Sequence, residues 1–205
     1  MLLHALFAGL FTGLSLIVAI GAQNSFVLKV GLQRNYIVEV VIICAFSDAV
    51  LIFAGVTGIG EVLKHAEPVL NALRWIGVAY LVYFGVSAFL RSLKTEKLSP
   101  SERAVSQSRK AVLASTLAFT WLNPHVYLDT VLFLGTVGAQ YGANRWFFAT
   151  GASIGSIIWF IFIGLGAKKA SVFMSKPSTW RVLDLFIAIV MFIVAFSLAT
   201  TRIHP

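Results

Sequence analysis

Six long apolar segments constrain this chain more than any other feature of its sequence. A helix needs about 20 mostly apolar residues to cross a bilayer, and each segment reaches that length. Backbone polar groups must be satisfied internally in lipid, so the segments are predicted to be helices. Only 12% of the 205 residues are charged, against about 25% in soluble domains. The sequence therefore predicts an all-α membrane protein with six transmembrane helices, at residues 2–28, 36–58, 69–90, 111–135, 146–166 and 181–200.

The segments form two groups of three on either side of a polar connector at residues 93–108. An odd number of helices per half inverts the second half relative to the first. We therefore predict a 3+3 inverted repeat within a single transmembrane domain, with halves 1–92 and 109–205. No Lys or Arg precedes Lys29, so the first segment lacks the positive start of a signal peptide and is expected to be retained. The main alternative is a five-helix topology in which one interrupted segment does not span.

Basic residues are concentrated in alternate connectors. Of the 16 Lys and Arg residues, 12 follow the first, third and fifth segments and only 4 lie elsewhere. Cytoplasmic connectors carry an excess of Lys and Arg, so this bias predicts that both termini lie outside the cytoplasm. The charges thus indicate orientation in a lipid bilayer, and they form no basic face for nucleic acid.

The first and fourth segments are interrupted by residues that break helices or are polar. These residues are Gly21, Ala22, Gln23 and Asn24 in the first segment and Asn123, Pro124 and His125 in the fourth. Asn is favoured as an N-cap and Pro at the first helical position, so Asn123 and Pro124 predict the start of a half-helix. Asn24, with backbone freedom supplied by Gly21, is expected to do the same in the first segment.

Interruptions at corresponding places in two halves are typical of a transporter binding site near the bilayer midplane. The N-terminus of a half-helix presents free N–H groups and the positive end of the helix dipole, which suits a carboxylate ligand. The alternative interpretation is a Pro kink in which Asn satisfies the freed carbonyl group.

Two carboxylates, Asp48 and Asp129, lie within the second and fourth segments with no Lys or Arg within a helical turn. Ionisable residues at membrane depth usually face a bundle interior or an aqueous cavity and mark the path of an ion or substrate. The pair favours a cationic solute, with protonation alternating with solute binding. The alternative is a structural hydrogen bond from a nearby hydroxyl or backbone group.

His125 and Asp129 are four residues apart and share one helical face, which makes His125 a candidate proton relay. A packing role for His125 is an equal alternative. Trp121 is expected either to line the cavity or to pack in the core. Gly151 and Gly155 indicate close helix packing or a homodimer. Single Cys44 excludes an intramolecular disulfide, and no metal or cofactor motif is present.

Five stretches resemble the LysE family of amino-acid exporters, in particular its lysine and arginine exporter branch. They are IGAQNSFVLKVGL (20–32), CAFSDAVLIFAG (44–55), RWIGVAYLVYFG (74–85), TWLNPHVYLDT (120–130) and VGAQYGANRWFFATGA (137–152). The resemblance implies a secondary transporter in the bacterial inner membrane. It would export L-lysine and L-arginine, driven by the membrane potential or the proton gradient.

The resemblance also assigns residues. The family's aspartates in the second and fourth helices match Asp48 and Asp129, and its Asn-Pro pair matches Asn123 and Pro124. The family usually has Pro where this chain has Ala22, which predicts a softer break in the first helix.

From the residues and the resemblance together, we expect a substrate site formed by Asp48, Asp129, Gln23, Asn24, Asn123 and Trp121. Protons are a candidate coupling ion. The alternatives are a channel, or a carrier for another small cationic or zwitterionic solute. An intramembrane enzyme has no support from nucleophile, base or metal spacing.

Overall fold

The computed structural model of the chain is all-helical in the residues it describes, which are 2–18, 21–59, 67–93, 108–173 and 177–200. Eight helices follow in order: α1 (Leu2–Ile17), α2 (Ala22–Leu32), α3 (Ile37–Ala54), α4 (Glu67–Leu93), α5 (Arg109–Trp121), α6 (Pro124–Val126, Tyr127–Phe133 and Leu134–Ala139), α7 (Arg145–Ala170) and α8 (Pro177–Thr200). The middle part of α6 is π-helical, and so is a continuation of α3 over Gly55–Ile59.

Four helical stretches of the described residues are long and apolar enough to cross a membrane. They are Ile37–Ile59, Pro68–Leu93, Gly142–Ala170 and Ser178–Thr200. Each coincides with a segment predicted from hydropathy. Helices α1 and α2 add a fifth candidate if they form one bent span, and their axes differ by 82°.

The predicted segment 111–135 is divided between α5 and α6, and neither helix alone is long enough to span. The described residues therefore contain four to five candidate spans, by length and composition, where hydropathy predicted six. Residues 94–107 of the predicted connector lie outside the described residues. Six of the basic residues used to predict orientation do so as well: Lys94, Lys97 and Arg103 in the connector, and Lys64, Lys176 and Arg202 elsewhere.

Large apolar side chains are exposed on the long helices. Phe11 of α1, Phe46 of α3, Phe162 of α7 and Phe196 of α8 are each at least 65% exposed. Extended apolar surface is unfavourable in water but matches lipid tails. Together with the candidate spans, this surface defines a multi-pass membrane protein.

Glycines bring α1 and α7 into backbone contact. A Cβ atom added to Gly151 would collide with the carbonyl of Leu6, and one added to Gly155 would lie 3.0 Å from the carbonyl oxygen of Leu10. Small residues allow such close approach between membrane helices. The Gly151 and Gly155 pair is thus used within the chain, and the homodimer stays a prediction.

Candidate functional site

A cavity of about 360 Å³ lies among α1, α2, α3, α6, α7 and α8. Its size is within the range of small-molecule sites, about 300–1,000 Å³. Its lining contains eight of the residues singled out in the sequence: Gly21, Ala22, Gln23, Asn24, Asp48, Asn123, His125 and Asp129. Residues from both halves of the chain therefore meet at one place.

The first junction, between the end of α1 at Ile17 and the start of α2 at Ala22, is tied together by Asn24. The Asn24 Nδ2 atom donates a 2.7 Å hydrogen bond to the carbonyl oxygen of Ile17. Its Oδ1 atom accepts one of 3.2 Å from Nε1 of Trp159 on α7. Asn24 thus satisfies a carbonyl group that the end of α1 leaves unpaired.

The N-cap role predicted for Asn24 is wrong. Gly21 occupies the N-cap position with an extended backbone (φ −118°, ψ −176°), and no side chain caps α2. The reason is that α2 already begins at Ala22, so Asn24 is the third helical residue and its side chain reaches back to α1. Ala22 takes the first helical position, where its N–H needs no intrahelical partner.

The second junction joins the end of α5 at Trp121 to the start of α6 at Pro124. Asn123 Oδ1 accepts a 3.2 Å hydrogen bond from the backbone N–H of His125, as its predicted capping role requires. Tyr127 Oη donates a 2.9 Å hydrogen bond to the carbonyl oxygen of Trp121. Side chains therefore satisfy backbone groups on both sides of this junction, which is necessary in an apolar surrounding.

Two side-chain hydrogen bonds connect the junctions to other helices. Gln23 Nε2, at the first junction, donates a 3.0 Å hydrogen bond to Oγ1 of Thr120 on α5. Trp121 Nε1 donates a 3.2 Å hydrogen bond to Oγ of Ser47 on α3. Trp121 is not among the residues that line the cavity, and its indole lies against α3. Its place in the substrate site stays a prediction.

Asp48 lies midway along α3 and is only 7% exposed. Its Oδ2 atom accepts a 2.8 Å hydrogen bond from Oγ of Ser156 on α7. One hydroxyl satisfies little of a carboxylate's capacity of about four acceptor sites. No basic side chain in the described part of the chain forms an ion pair with it, so a cationic solute in the cavity would find an uncompensated carboxylate.

Asp129 differs from Asp48 because it is exposed, and it lies in the π-helical part of α6. π-Helical turns are rare and occur frequently at functional sites. Glycine contacts hold this segment against α3, since a Cβ on Gly55 would lie 2.6 Å from the carbonyl oxygen of Val131. His125 also lines the cavity, one helical turn before Asp129.

A third aspartate, Asp184, forms a buried ion-pair cluster that the sequence pattern did not indicate. Its Oδ1 atom lies 2.5 Å from Nζ of Lys29 on α2 and 3.4 Å from Nε of Arg91 on α4. The side chains of Lys29 and Asp184 are 3% and 4% exposed. The predicted first segment ends at residue 28 and leaves Lys29 in the connector, but α2 continues to Leu32 and buries it. Opposite charges inside two apolar helices were the signal that could have revealed the pair.

The class that fold and cavity define is a multi-pass helical membrane protein with a polar internal site between its helices. Comparison with known proteins makes this more specific, because a family profile described as LysE type translocator matches residues 14–202. The chain belongs to the LysE family of translocators, and it is a transporter and not an enzyme.

Curated relatives cover nearly the whole chain. It is 38% identical to the lysine exporter LysE of Corynebacterium diphtheriae, over 91% of this chain and 94% of that one. It is also 38% identical to the arginine exporter protein ArgO of Pectobacterium carotovorum, over 93% of this chain and 94% of that one. The lysine exporter LysE of Corynebacterium glutamicum is 35% identical to this chain, over 93% of this chain and 96% of that one. No solved structure matches the chain at a significant level.

Proposed function

We propose that this protein exports L-lysine and L-arginine from the bacterial cytoplasm across the inner membrane. The observation that supports this most strongly is one cavity that contains both Asp48 and Asp129 without a Lys or Arg partner among the described residues. Carboxylates in such a place attract a solute that carries a positive charge. The names of the relatives, which are lysine and arginine exporters, agree with this chemistry.

In the proposed site, the substrate's cationic side chain faces Asp48 and Asp129. The α-carboxylate lies toward the starts of α2 and α6, near Asn24 and Asn123. Helix N-termini present free N–H groups and partial positive charge, so they suit a carboxylate. Gln23 contributes to the same wall of the cavity.

Support for an inverted repeat comes from how the helices pair. Helix α1 packs on α7, and α5 packs on α3, so the first element of each half contacts the first full-length helix of the other. The pairs α3 with α7 and α4 with α8 also join corresponding helices. We propose six spans, of which α1 with α2 and α5 with α6 are broken near the midplane.

The proposed orientation has both termini outside the cytoplasm, as the Lys and Arg bias predicts. In that orientation the ends of α2 and α5 that lie away from the cavity face the cytoplasm. Proton coupling through His125, which shares a helical face with Asp129, is the proposed driving mechanism alongside the membrane potential.

Counterflow of labelled lysine and arginine in proteoliposomes tests the proposal. Vesicles preloaded with unlabelled lysine should accumulate label in a saturable manner, with a rate that depends on an imposed pH gradient. Glutamate serves as the control solute, because its side chain would face two carboxylates and should not exchange. Absence of exchange for both lysine and arginine would refute the substrate class, and non-saturable flux would favour a channel.

A further inference from the structure

The Lys29, Arg91 and Asp184 cluster has the chemistry of a second cation site. Asp184 already binds both of the cationic groups that occur in the proposed substrates, an ammonium from Lys29 and a guanidinium from Arg91. The ring of Phe84 adds to the site, since its centroid lies 6.0 Å from Lys29 Nζ and 5.8 Å from Arg91 Cζ. A carboxylate beside an aromatic face is a favourable surrounding for either cation.

The cluster is separate from the cavity. Along α2, Gln23 and Asn24 line the cavity, Phe26 comes next, and Lys29 is one further turn away. Phe26 belongs to an aromatic cluster whose ring centroids lie 4.9 to 5.7 Å apart, formed by Phe26, Phe84 and Phe119. These rings pack together between α2, α4 and α5, so along α2 an apolar layer lies between the cavity residues and Lys29.

We propose that Asp184 is an entry site for basic amino acids on the predicted cytoplasmic face, where the Lys and Arg residues are concentrated. Lys29 and Arg91 occupy this site while that face is closed. The proposal rests on the proposed export function. A substrate's ammonium or guanidinium group replaces Lys29 at Asp184 when α2 moves away from α8. The substrate then passes the aromatic cluster toward Asp48.

The physical reason for an exchange is that a buried carboxylate needs a cation at all times. Separating Lys29 from Asp184 without a replacement would leave a buried charge uncompensated, which is strongly unfavourable. A cationic substrate removes that penalty, whereas a neutral or acidic solute does not. Opening of this face is thereby linked to the presence of the correct substrate.

The rival interpretation is a purely structural ion pair. The two differ in what happens when all three charges are removed together by Lys29→Gln, Arg91→Gln and Asp184→Asn. A structural cluster tolerates joint removal, because no charge is left alone. An entry site does not, because the substrate loses its carboxylate. The joint variant also avoids the unpaired buried charge that could prevent the single Asp184→Asn variant from folding.

The experiment measures lysine and arginine uptake into everted and right-side-out membrane vesicles, which present opposite faces. The joint variant should raise the concentration for half-maximal uptake by at least about tenfold at the face that carries Lys29, and by less than about twofold at the other. The matched control is Glu39→Gln with Arg109→Gln, which removes an exposed ion pair between α3 and α5. That control should leave both values unchanged within about twofold, as expected for a surface pair.

Unchanged half-saturation at both faces, or an equal rise at both, would overturn the entry site. In either case wild-type uptake would still show that the export function stands. If the wild-type protein transports neither amino acid from either face, the proposed function fails and the entry site fails with it.

Discussion

The two regions that hold buried or membrane-depth aspartates differ in whether a cation is built in. Asp184 is enclosed by α2, α4 and α8 and is paired with Lys29 and Arg91. Asp48 and Asp129 face a cavity, and within the described residues only a hydroxyl group from Ser156 approaches either of them at hydrogen-bond distance. In the proposed site, the cavity aspartates would take their counter-charge from the solute.

The comparison also separates two kinds of stabilisation. Removing one member of the Asp184 cluster should affect folding, since breaking a buried pair costs about 3–5 kcal/mol. Removing a charge from the cavity should affect transport and leave the folded state intact. The following predictions test that separation, from the largest expected effect to the smallest.

Asp48→Asn is expected to have the largest effect on transport. The buried carboxylate is expected to be the stronger of the two proposed cation ligands, because a charged hydrogen bond in a water-poor site contributes about 1.5–3 kcal/mol. This energy corresponds to about 10- to 140-fold in a binding constant, so lysine and arginine efflux should fall by about 100-fold, with normal abundance in the membrane. Efflux from cells that express the variant checks this.

Glu39→Gln is the matched control, because it neutralises a partly exposed carboxylate on the same helix as Asp48. Efflux should stay within about twofold of wild type, as for other surface charges. Wild-type efflux from the Asp48→Asn protein would remove Asp48 from the substrate site.

Asp129→Asn should lower efflux by about tenfold, which is less than the effect at Asp48. Asp129 is exposed, so water screens its interaction with a cation. The measurement is the same efflux assay, with Thr136→Ala as a control on the exposed side of α6. An effect of Asp129→Asn no larger than that of Thr136→Ala would contradict the two-carboxylate site.

Asn24→Ala should combine a loss of stability with a loss of transport. It removes the bonds to the Ile17 carbonyl and the Trp159 indole, and each buried group left unsatisfied costs about 1–3 kcal/mol. Thermal unfolding of the detergent-purified protein should shift to lower temperature. Asn24→Asp keeps the acceptor for Trp159 but sets a carboxylate oxygen against the Ile17 carbonyl oxygen, so it should be at least as destabilising as Asn24→Ala. Equal unfolding temperatures for all three proteins would show that Asn24 does not hold the first junction together.

Ala22→Pro should have the smallest effect, with transport within about twofold of wild type. Proline suits the first helical position, and the residue before it must be extended, as Gly21 already is. Efflux measurements check this. A severe loss would mean that the N–H of Ala22, which proline lacks, contacts the substrate.

Much of the fold could be predicted because it depends on local chemistry. Hydropathy located the helices that correspond to α3, α4, α7 and α8, and the Asn123 and Pro124 pair located the start of α6. Asp48 and Asp129 were identified because a charge in an apolar helix is costly wherever the helix packs. These features need only the residues within one or two turns.

The sequence by itself therefore determined where helices lie, where they are interrupted and which carboxylates are exceptional. Only the tertiary structure decided the partner of each polar group. Asn24 bonds the end of α1 and does not cap α2, and Trp121 donates a hydrogen bond to Ser47 of α3. Asp184 meets Lys29 across 155 positions of sequence. The physical reason is that hydropathy is a local property of each segment, whereas a hydrogen bond or ion pair depends on which distant helix lies within about 3 Å.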